Sequence, residues 1–172
     1  MISTIGYEGA RLADFVGTLQ LVDVRMVIDI RERAQSRRAG FSKSALRERL
    51  EAAGIGYLHL RELGDPKDGR EAARSGDLVR FRQIYAAVLQ TNEAISALSQ
   101  IADLSRQMSV CLLCYERDHH ECHRKIVADH LESSMGTKAR HLGVKEDVAV
   151  HEFQRRVRDA GEGAAAWKQQ LF

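Results

Sequence analysis

The chain has 172 residues, of which 44% are hydrophobic and 29% are charged, and it contains a single proline. This size and composition fit one compact domain with a full hydrophobic core and a short tail. The formal net charge of +2 is close to balance. A near-neutral chain has no overall positive field, so the composition argues against a protein that coats a nucleic-acid duplex through its phosphates.

The sequence carries no signal of a membrane or secretory protein. No segment approaches the ~20 apolar residues of a membrane-spanning helix, and no apolar N-terminal stretch follows a positively charged one. Three cysteines are present, an odd number, and two of them lie near a histidine-rich loop. That usage disfavours a disulfide scaffold. We therefore expect reduced thiols in a cytoplasmic protein that does not interact with membranes.

The first half of the chain alternates strand and helix signals. A short β-rich segment at residues 2–6 precedes apolar residues that recur from Leu12 at the i, i+3, i+4 and i+7 spacing of an amphipathic helix. Residues 26–30 are predicted to form the second strand. A helix is predicted over residues 42–54, with serine as its N-cap and glycine at its end, and a third strand over residues 55–60.

The second half begins with a polar segment at residues 65–77, which holds the only proline and is predicted to be a loop. Asp77 and Thr91 are predicted to start two successive helices. An apolar strand at residues 110–113, a polar loop, a further helix and a short last strand at residues 139–144 follow. This alternation predicts an α/β fold, with one open, parallel or mostly parallel sheet and helices on both faces, in three layers α/β/α.

Polar and ionisable side chains gather where the predicted strands end. In a parallel sheet the carboxyl ends of the strands lie at one edge, where ligands bind in open α/β proteins. Strands end at polar residues in any case, but these residues, although far apart in sequence, are expected to converge in one crevice. They are Gly6 and Tyr7 after the first strand, Asp29, Arg31 and Arg33 after the second, His59 and Glu62 after the third, and Cys114 and Glu116 after the fourth.

The loop after the fourth strand carries the most reactive groups. Cys114, Glu116, Cys122, His123 and Arg124 fall within eleven positions. A cysteine at a helix N-terminus beside His or Arg has a lowered pKa, and Cys122 has that position. Either Cys114 or Cys122 is the expected nucleophile. We expect His123 to act as the base and Arg124 to hold an anionic group.

A metal site is the alternative interpretation of this loop. Zinc takes thiolate and imidazole ligands, and Glu116 would then be the general base for a metal-bound water. The spacing differs from the short Cys-x2-4-Cys steps of structural zinc knuckles, so we assign no metal ligand and no cofactor from the sequence. The candidate ligands are Cys114, Cys122, His123 and either His119 or His120.

Basic and aromatic residues favour a phosphate-bearing ligand. The basic residues are Arg31, Arg33, Arg37 and Arg38 after the second strand and Arg124 at a helix start. Tyr7 is expected to stack on a base or to close the pocket. His59 and Glu62 are expected to do acid/base work, although a histidine on a strand is more often a structural residue.

Four sequence blocks carry a resemblance to a known family: TIGYEG, VIDIRERAQSRRAGFSKSAL, GIGYLHLRELG and CLLCYERDHHECHRKIVADHL. In order and spacing, over residues 2–144, they resemble the domain of unknown function 488 family. The resemblance implies a small cytosolic α/β protein without an established activity. It therefore predicts the fold more firmly than the function.

The residues themselves predict an enzyme that works by hydrolysis or group transfer. Its substrate is expected to be phosphate-bearing or nucleotide-like and to bind at the carboxyl ends of the strands. The alternatives are a non-catalytic module that binds a nucleotide or nucleic acid, and a zinc-binding protein.

We expect residues 1–144 to form the α/β domain and residues 145–172 to form a C-terminal helix and tail. The tail ends in KQQLF, which resembles the Gln-rich, Leu-Phe-ending peptides by which bacterial proteins dock on the replication sliding clamp. This resemblance predicts Leu171 and Phe172 as docking anchors. In the simpler interpretation, these apolar residues pack back onto their own domain.

Overall fold

The computed structural model describes residues 1–148, and at its centre is a sheet of five parallel strands. The strands are β1 (Ile2–Gly6), β2 (Met26–Asp29), β3 (Gly56–His59), β4 (Val110–Cys114) and β5 (Arg140–Leu142). They lie across the sheet in the order β3-β2-β4-β1-β5. Gly6 is opposite Cys114 and Asp29 is opposite His59, so the strand ends form one carboxyl edge.

Helices cover both faces of this sheet and confirm the predicted three-layer α/β/α architecture. The helices are α1 (Leu12–Leu21), α2 (Lys43–Glu51), α3 (Lys67–Arg74), α4 (Leu78–Leu89), α5 (Asn92–Gln107) and α6 (His123–Met135). Side chains of the central strand β4 alternate between two cores. Val110 and Leu112 pack in the core formed with α4, α5 and α6, and Cys111 packs in the core formed with α1 and α2.

Local capping explains several helix boundaries. Asp77 and Thr91 are N-caps, as predicted, and their side chains accept hydrogen bonds from backbone N–H groups at 3.0 and 3.2 Å. Ser42 directly precedes α2, but its hydroxyl donates to the carbonyl of Ser36 and leaves the helix end uncapped. Gly54 lies after α2 with a φ of 75°, the left-handed conformation that glycine favours. Among the helices of residues 1–148, none combines the length and apolar character needed to cross a membrane.

The segment at residues 65–77 was predicted to be a loop, and this prediction is wrong because it contains α3. Pro66 directly precedes the helix with a φ of −67°, a position where its missing N–H is no loss. Gly69 and Ala72 form the buried side of α3. The helix packs closely, since a Cβ atom on Gly69 would lie 2.0 Å from the carboxylate of Asp65. Packing of this small-residue face therefore stabilises a helix that its composition does not predict.

The predicted C-terminal helix and tail fall almost entirely outside the described residues. The proposed docking anchors, Leu171 and Phe172, lie in that part of the chain. The tail and its docking role therefore stay predictions.

Gly6 is predicted to be essential for the packing of β1 against the loop after β4. A Cβ atom at Gly6 would lie 1.8 Å from the carbonyl oxygen of Glu116. This oxygen belongs to the backbone, so no change of side-chain rotamer can relieve the clash. We expect Gly6→Ala to lower the free energy of unfolding by about 3 kcal/mol, measured by urea denaturation. Gly143→Ala is the matched control, because a Cβ atom there meets no atom within 4 Å. Equal stability of the two variants would contradict this packing.

Candidate active site

Two adjoining clefts open at the carboxyl edge of the sheet. The larger, of about 460 Å³, is lined by arginines together with Cys114, Glu116 and His123. We call it the arginine cleft, and its arginines are Arg31, Arg33, Arg37, Arg38, Arg70 and Arg74. The second cleft, of about 310 Å³, shares Glu116 and His123 with the first and adds Cys122. The reactive loop therefore reaches both clefts.

Four side chains meet where the clefts adjoin, and we call them the Cys–Glu–His cluster. Cys114 ends β4, Glu116 lies in the loop, Cys122 is the N-cap of α6 and His123 is its first residue. The two thiols donate to the same carboxylate oxygen, Oε2 of Glu116, at 2.8 Å from Cys114 and 3.0 Å from Cys122. Nδ1 of His123 lies 3.6 and 3.8 Å from the two sulfur atoms.

A backbone hydrogen bond sets the orientation of His123. Its Nε2 donates to the carbonyl of Ile30 at 2.9 Å. Because a carbonyl only accepts, Nε2 carries a hydrogen and Nδ1 is directed at the sulfur atoms. The end of β2 therefore orients an imidazole that α6 supplies.

The surroundings favour a charged Glu116 and a charged His123. Burial opposes the charge on Glu116, but hydrogen bonds from both thiols and the positive charge of His123 outweigh it and lower the pKa of Glu116. Burial also opposes the charge on His123, but Cys122, Glu116 and the carbonyl of Ile30 raise the pKa of His123 to about 9. Carboxylate and imidazolium thus lie side by side near neutral pH.

For the two thiols, in contrast, the surroundings favour the uncharged, protonated form. Burial raises the pKa of Cys114, and burial together with the neighbouring Cys114 raises the pKa of Cys122 well above its ordinary value. The prediction of a lowered pKa for Cys122 is therefore wrong. Cys122 does lie at the helix N-terminus, but its side chain is almost fully buried, and desolvation outweighs the helix dipole.

Arg31 is buried at the wall of the arginine cleft, where it links the ends of two strands by hydrogen bonds. Its guanidinium donates to both carboxylate oxygens of Asp29, at 2.8 and 2.6 Å. It also donates to the Tyr7 hydroxyl at 2.8 Å and to the Phe41 carbonyl at 3.0 Å. Tyr7 stacks on Phe41 with ring centroids 4.4 Å apart. Asp29, Arg31 and Tyr7, predicted to bind ligand, thus bind one another and support the cleft.

Arg124 is buried beneath the loop between β4 and α6 and binds the backbone of that loop. It is 1% exposed, and its guanidinium donates to the backbone carbonyls of Glu116 and Arg117. Neither cleft is lined by Arg124. Gly6, also predicted to bind ligand, packs against the Glu116 carbonyl and lines a separate groove at the start of α1.

The structure does not bring His59 and Glu62 to the clefts. His59 donates from Nε2 to the carbonyl of Arg31 at 2.8 Å, the structural role that strand histidines usually have. Glu62 is exposed in a short 3-10 turn and lines a different groove beside α5. Of the residues expected to converge, the arginine cleft is lined by Tyr7, Arg31, Arg33, Cys114 and Glu116. It is not lined by Gly6, Asp29, His59 or Glu62.

The sequence interpretation missed the residues that α3 and the segment directly before it contribute. Asp65, Arg70 and Arg74 line both clefts. Asp65 is 6% exposed, and its Oδ1 has no hydrogen-bond partner among the described residues. Arg70 pairs with Glu32 and also donates to the carbonyl of Asp65. A proline followed by small residues at helical spacing was the signal available in the sequence.

An exposed aromatic side chain was also missed. Tyr115 lines the arginine cleft, is 43% exposed and packs edge-on against Tyr7 with ring centroids 5.3 Å apart. Its position directly after β4 was visible in the sequence. Its contact with Tyr7, which follows another strand, was not.

Together these features define a class: a parallel α/β/α protein with a Cys–Glu–His cluster and an arginine-rich cleft at the carboxyl edge of its sheet. Residues 11–131 match the family described as Domain of unknown function DUF488, and the chain belongs to that family. The match confirms the resemblance and covers three of the four sequence blocks, since TIGYEG precedes residue 11. No curated protein and no solved structure matches the chain.

Asp65 is predicted to make stability depend on pH. Burial raises the pKa of Asp65 to about 6, so the folded protein binds this proton more tightly than the unfolded chain does. The tighter proton binding by Asp65 therefore stabilises the folded protein fully below about pH 4. This stabilisation is lost as the pH rises through 6. We expect Asp65→Asn to exceed the wild type in free energy of unfolding by about 2 to 3 kcal/mol at pH 8, with the difference shrinking towards pH 4.

Urea denaturation at both pH values measures this difference. Asp68→Asn is the control, because Asp68 is an exposed aspartate three residues further along, in the first turn of α3. An Asp65→Asn variant with the same pH profile as this control would contradict the buried-carboxyl assignment.

Proposed function

We propose that this protein is an enzyme that hydrolyses, or transfers a group from, a phosphate-bearing, nucleotide-like substrate. The observation that carries the proposal is that one cleft combines six arginines with the Cys–Glu–His cluster. The arginines supply binding and the cluster supplies acid/base groups, which are the two requirements of such a reaction.

Two arginines of the segment after β2 are free to bind an anion. Arg33 and Arg37 are exposed, line the arginine cleft and make no hydrogen bond or ion pair within the described residues. A guanidinium presents a planar fork of donors that matches two phosphate oxygens. Arg38 differs, since it donates to the carbonyl of Ala10 at 2.5 Å. We therefore assign phosphate binding first to Arg33 and Arg37.

Tyr115 supports a nucleotide-like substrate rather than phosphate alone. Its exposed ring stands at the same cleft as the free guanidinium groups. An exposed aromatic ring beside arginines is the arrangement on which bases stack, and it tolerates any base. A single-stranded nucleic-acid end would fit the same chemistry, so nucleic acid stays a candidate ligand.

Glu116 is the residue best placed to act as general base. It is the most exposed member of the Cys–Glu–His cluster and lines both clefts. A charged carboxylate accepts a proton from an attacking water, and the neighbouring His123 imidazolium donates one to a leaving group. Attack by Cys114 would begin instead with transfer of its thiol proton to Glu116, to which it is hydrogen-bonded. Both routes depend on Glu116.

We expect this activity in the cytoplasm, where free thiols stay reduced. The second candidate function is a non-catalytic module that binds nucleotides or nucleic acid, for which the arginines and Tyr115 alone would suffice. Turnover measurements separate the two candidates.

Loss of the guanidinium groups of Arg33 and Arg37 is predicted to weaken phosphate binding. We expect the double variant Arg33→Gln/Arg37→Gln to bind inorganic pyrophosphate at least tenfold more weakly than the wild type, about 1.4 kcal/mol, in calorimetric titrations at low salt. Arg49→Gln is the control, because Arg49 is exposed on α2 outside both clefts. Equal affinities in the double variant and the control would remove the assignment of these arginines.

Glu116→Gln is predicted to abolish turnover while preserving binding. The substitution keeps the shape of the side chain and removes the proton acceptor, so we expect a loss of about 100-fold or more in rate. The assay is chromatography of a panel of ribo- and deoxyribonucleotides after incubation, with pyrophosphate binding measured in parallel. Glu48→Gln, an exposed position on α2, is the control.

Full turnover by Glu116→Gln would exclude Glu116 as the base. Tight binding by the wild type without any turnover across the panel would favour the non-catalytic module.

A further inference from the structure

We propose that the Cys–Glu–His cluster is a binding site for a divalent cation of the zinc type. The ligand atoms of Cys114, Glu116, Cys122 and His123 all lie within 4.8 Å of one another. The inference concerns metal binding itself and does not depend on the substrate proposed above.

The spacing of the ligand atoms fits a tetrahedral metal ion. With Zn–S of about 2.3 Å and Zn–N or Zn–O of about 2.0 Å, neighbouring ligand atoms in a tetrahedron lie about 3.3 to 3.8 Å apart. The two sulfur-to-Nδ1 distances at His123 are 3.6 and 3.8 Å. The two sulfur-to-Oε2 distances at Glu116 are shorter, 2.8 and 3.0 Å, because thiol hydrogens bridge them. Replacing those two hydrogens by one cation requires an opening of less than 1 Å.

The donor set selects the kind of metal. Two thiolates, one imidazole and one carboxylate suit zinc and disfavour magnesium and calcium, which prefer oxygen ligands. Cys114, Cys122 and His123 are 3%, 2% and 4% exposed. Such burial of two cysteines and a histidine around a shared point has a direct explanation if a cation balances their charges.

Groups behind the ligands support this arrangement. The Ile30 carbonyl accepts from Nε2 of His123, which is the contact that usually orients a metal-binding imidazole. The backbone N–H of Arg124 approaches the Cys122 sulfur at 3.5 Å from the first turn of α6. The first contact directs Nδ1 of His123 at the cluster, and the second stabilises the thiolate form of Cys122.

The ligand set differs from the one that the sequence indicated. His119 and His120, the expected fourth ligands, lie apart from the cluster in a more exposed group with Asp118. His119 stacks on His141 with ring centroids 3.8 Å apart. Glu116 takes the fourth position, because its carboxylate reaches both thiols.

Glu116 also gives the site its open side. It is the only one of the four ligands that is not buried, and it lines both clefts. A carboxylate that faces solvent is the ligand that a water or a phosphate oxygen replaces most readily. The metal would thus be accessible from the arginine cleft through one coordination position.

Metal titration of the full chain tests the proposal. After removal of metals by a chelator, we expect the wild type to bind one equivalent of Zn²⁺ with release of protons from the thiols. Co²⁺ in the same site should give the visible absorption of a tetrahedral complex and the near-ultraviolet charge-transfer band of thiolate ligands. X-ray absorption of the Zn²⁺ form should show two sulfur neighbours at about 2.3 Å.

Matched variants locate the metal. Cys114→Ser and Cys122→Ser should each halve the charge-transfer band and lower the affinity by more than about 100-fold. Cys111→Ala should bind like the wild type, because Cys111 lies in the other core. The double variant His119→Gln/His120→Gln should also bind like the wild type. X-ray absorption of the wild type decides the question if the serine variants do not fold.

Three results would overturn the proposal: no Zn²⁺ binding by the wild type, a coordination shell without sulfur, or loss of the metal in the His119/His120 double variant. A failure of the proposed function is distinct. Stoichiometric Zn²⁺ binding together with no pyrophosphate binding would keep the metal site and reject the phosphate-bearing substrate.

Discussion

The buried guanidinium of Arg124 is the interaction on which the site depends. It binds two successive backbone carbonyls, those of Glu116 and Arg117, and so fixes the loop that joins β4 to α6. A buried charge destabilises a protein unless its donors are satisfied, and here the loop backbone accepts from both terminal nitrogens, whereas Nε has no partner among the described residues. Gly6 is part of the same constraint, because a side chain there would displace the Glu116 carbonyl. The positions of Cys114, Glu116 and Cys122 follow from this anchored loop.

Arg31 has an equivalent role on the neighbouring strand. By binding Asp29, Tyr7 and the Phe41 carbonyl, it joins the ends of β1 and β2 to the segment before α2. The arginines of this edge thus fall into two groups with different physical roles. The buried ones donate to backbone carbonyls and neighbouring side chains of the protein, whereas exposed ones such as Arg33 keep their donors for a ligand.

The proposed function and the proposed metal site draw on the same geometry. Without a metal, buried thiols keep their protons, and the carboxylate and imidazole carry the charges. A divalent cation would replace the thiol protons and turn the same atoms into ligands. In both states Glu116 is the group that links the buried cluster to the clefts, because it is the least buried member. The arginine cleft keeps its anion-binding character in either case.

The sequence by itself determined the layered architecture, because hydrophobic periodicity and N-caps such as Asp77 and Thr91 act over a few residues. It also indicated that reactive residues collect at the carboxyl edge, since parallel strands end there together. It did not predict α3, whose stability comes from packing of Gly69 and Ala72 rather than from local propensity.

Only the tertiary structure distinguished the structural Arg31 from the free Arg33, and Glu116 inside the Cys–Glu–His cluster from His119 outside it. These residues have similar local surroundings in the sequence. The burial and orientation of their side chains are set by contacts with strands and helices that are distant along the chain. Local sequence patterns do not predict such contacts.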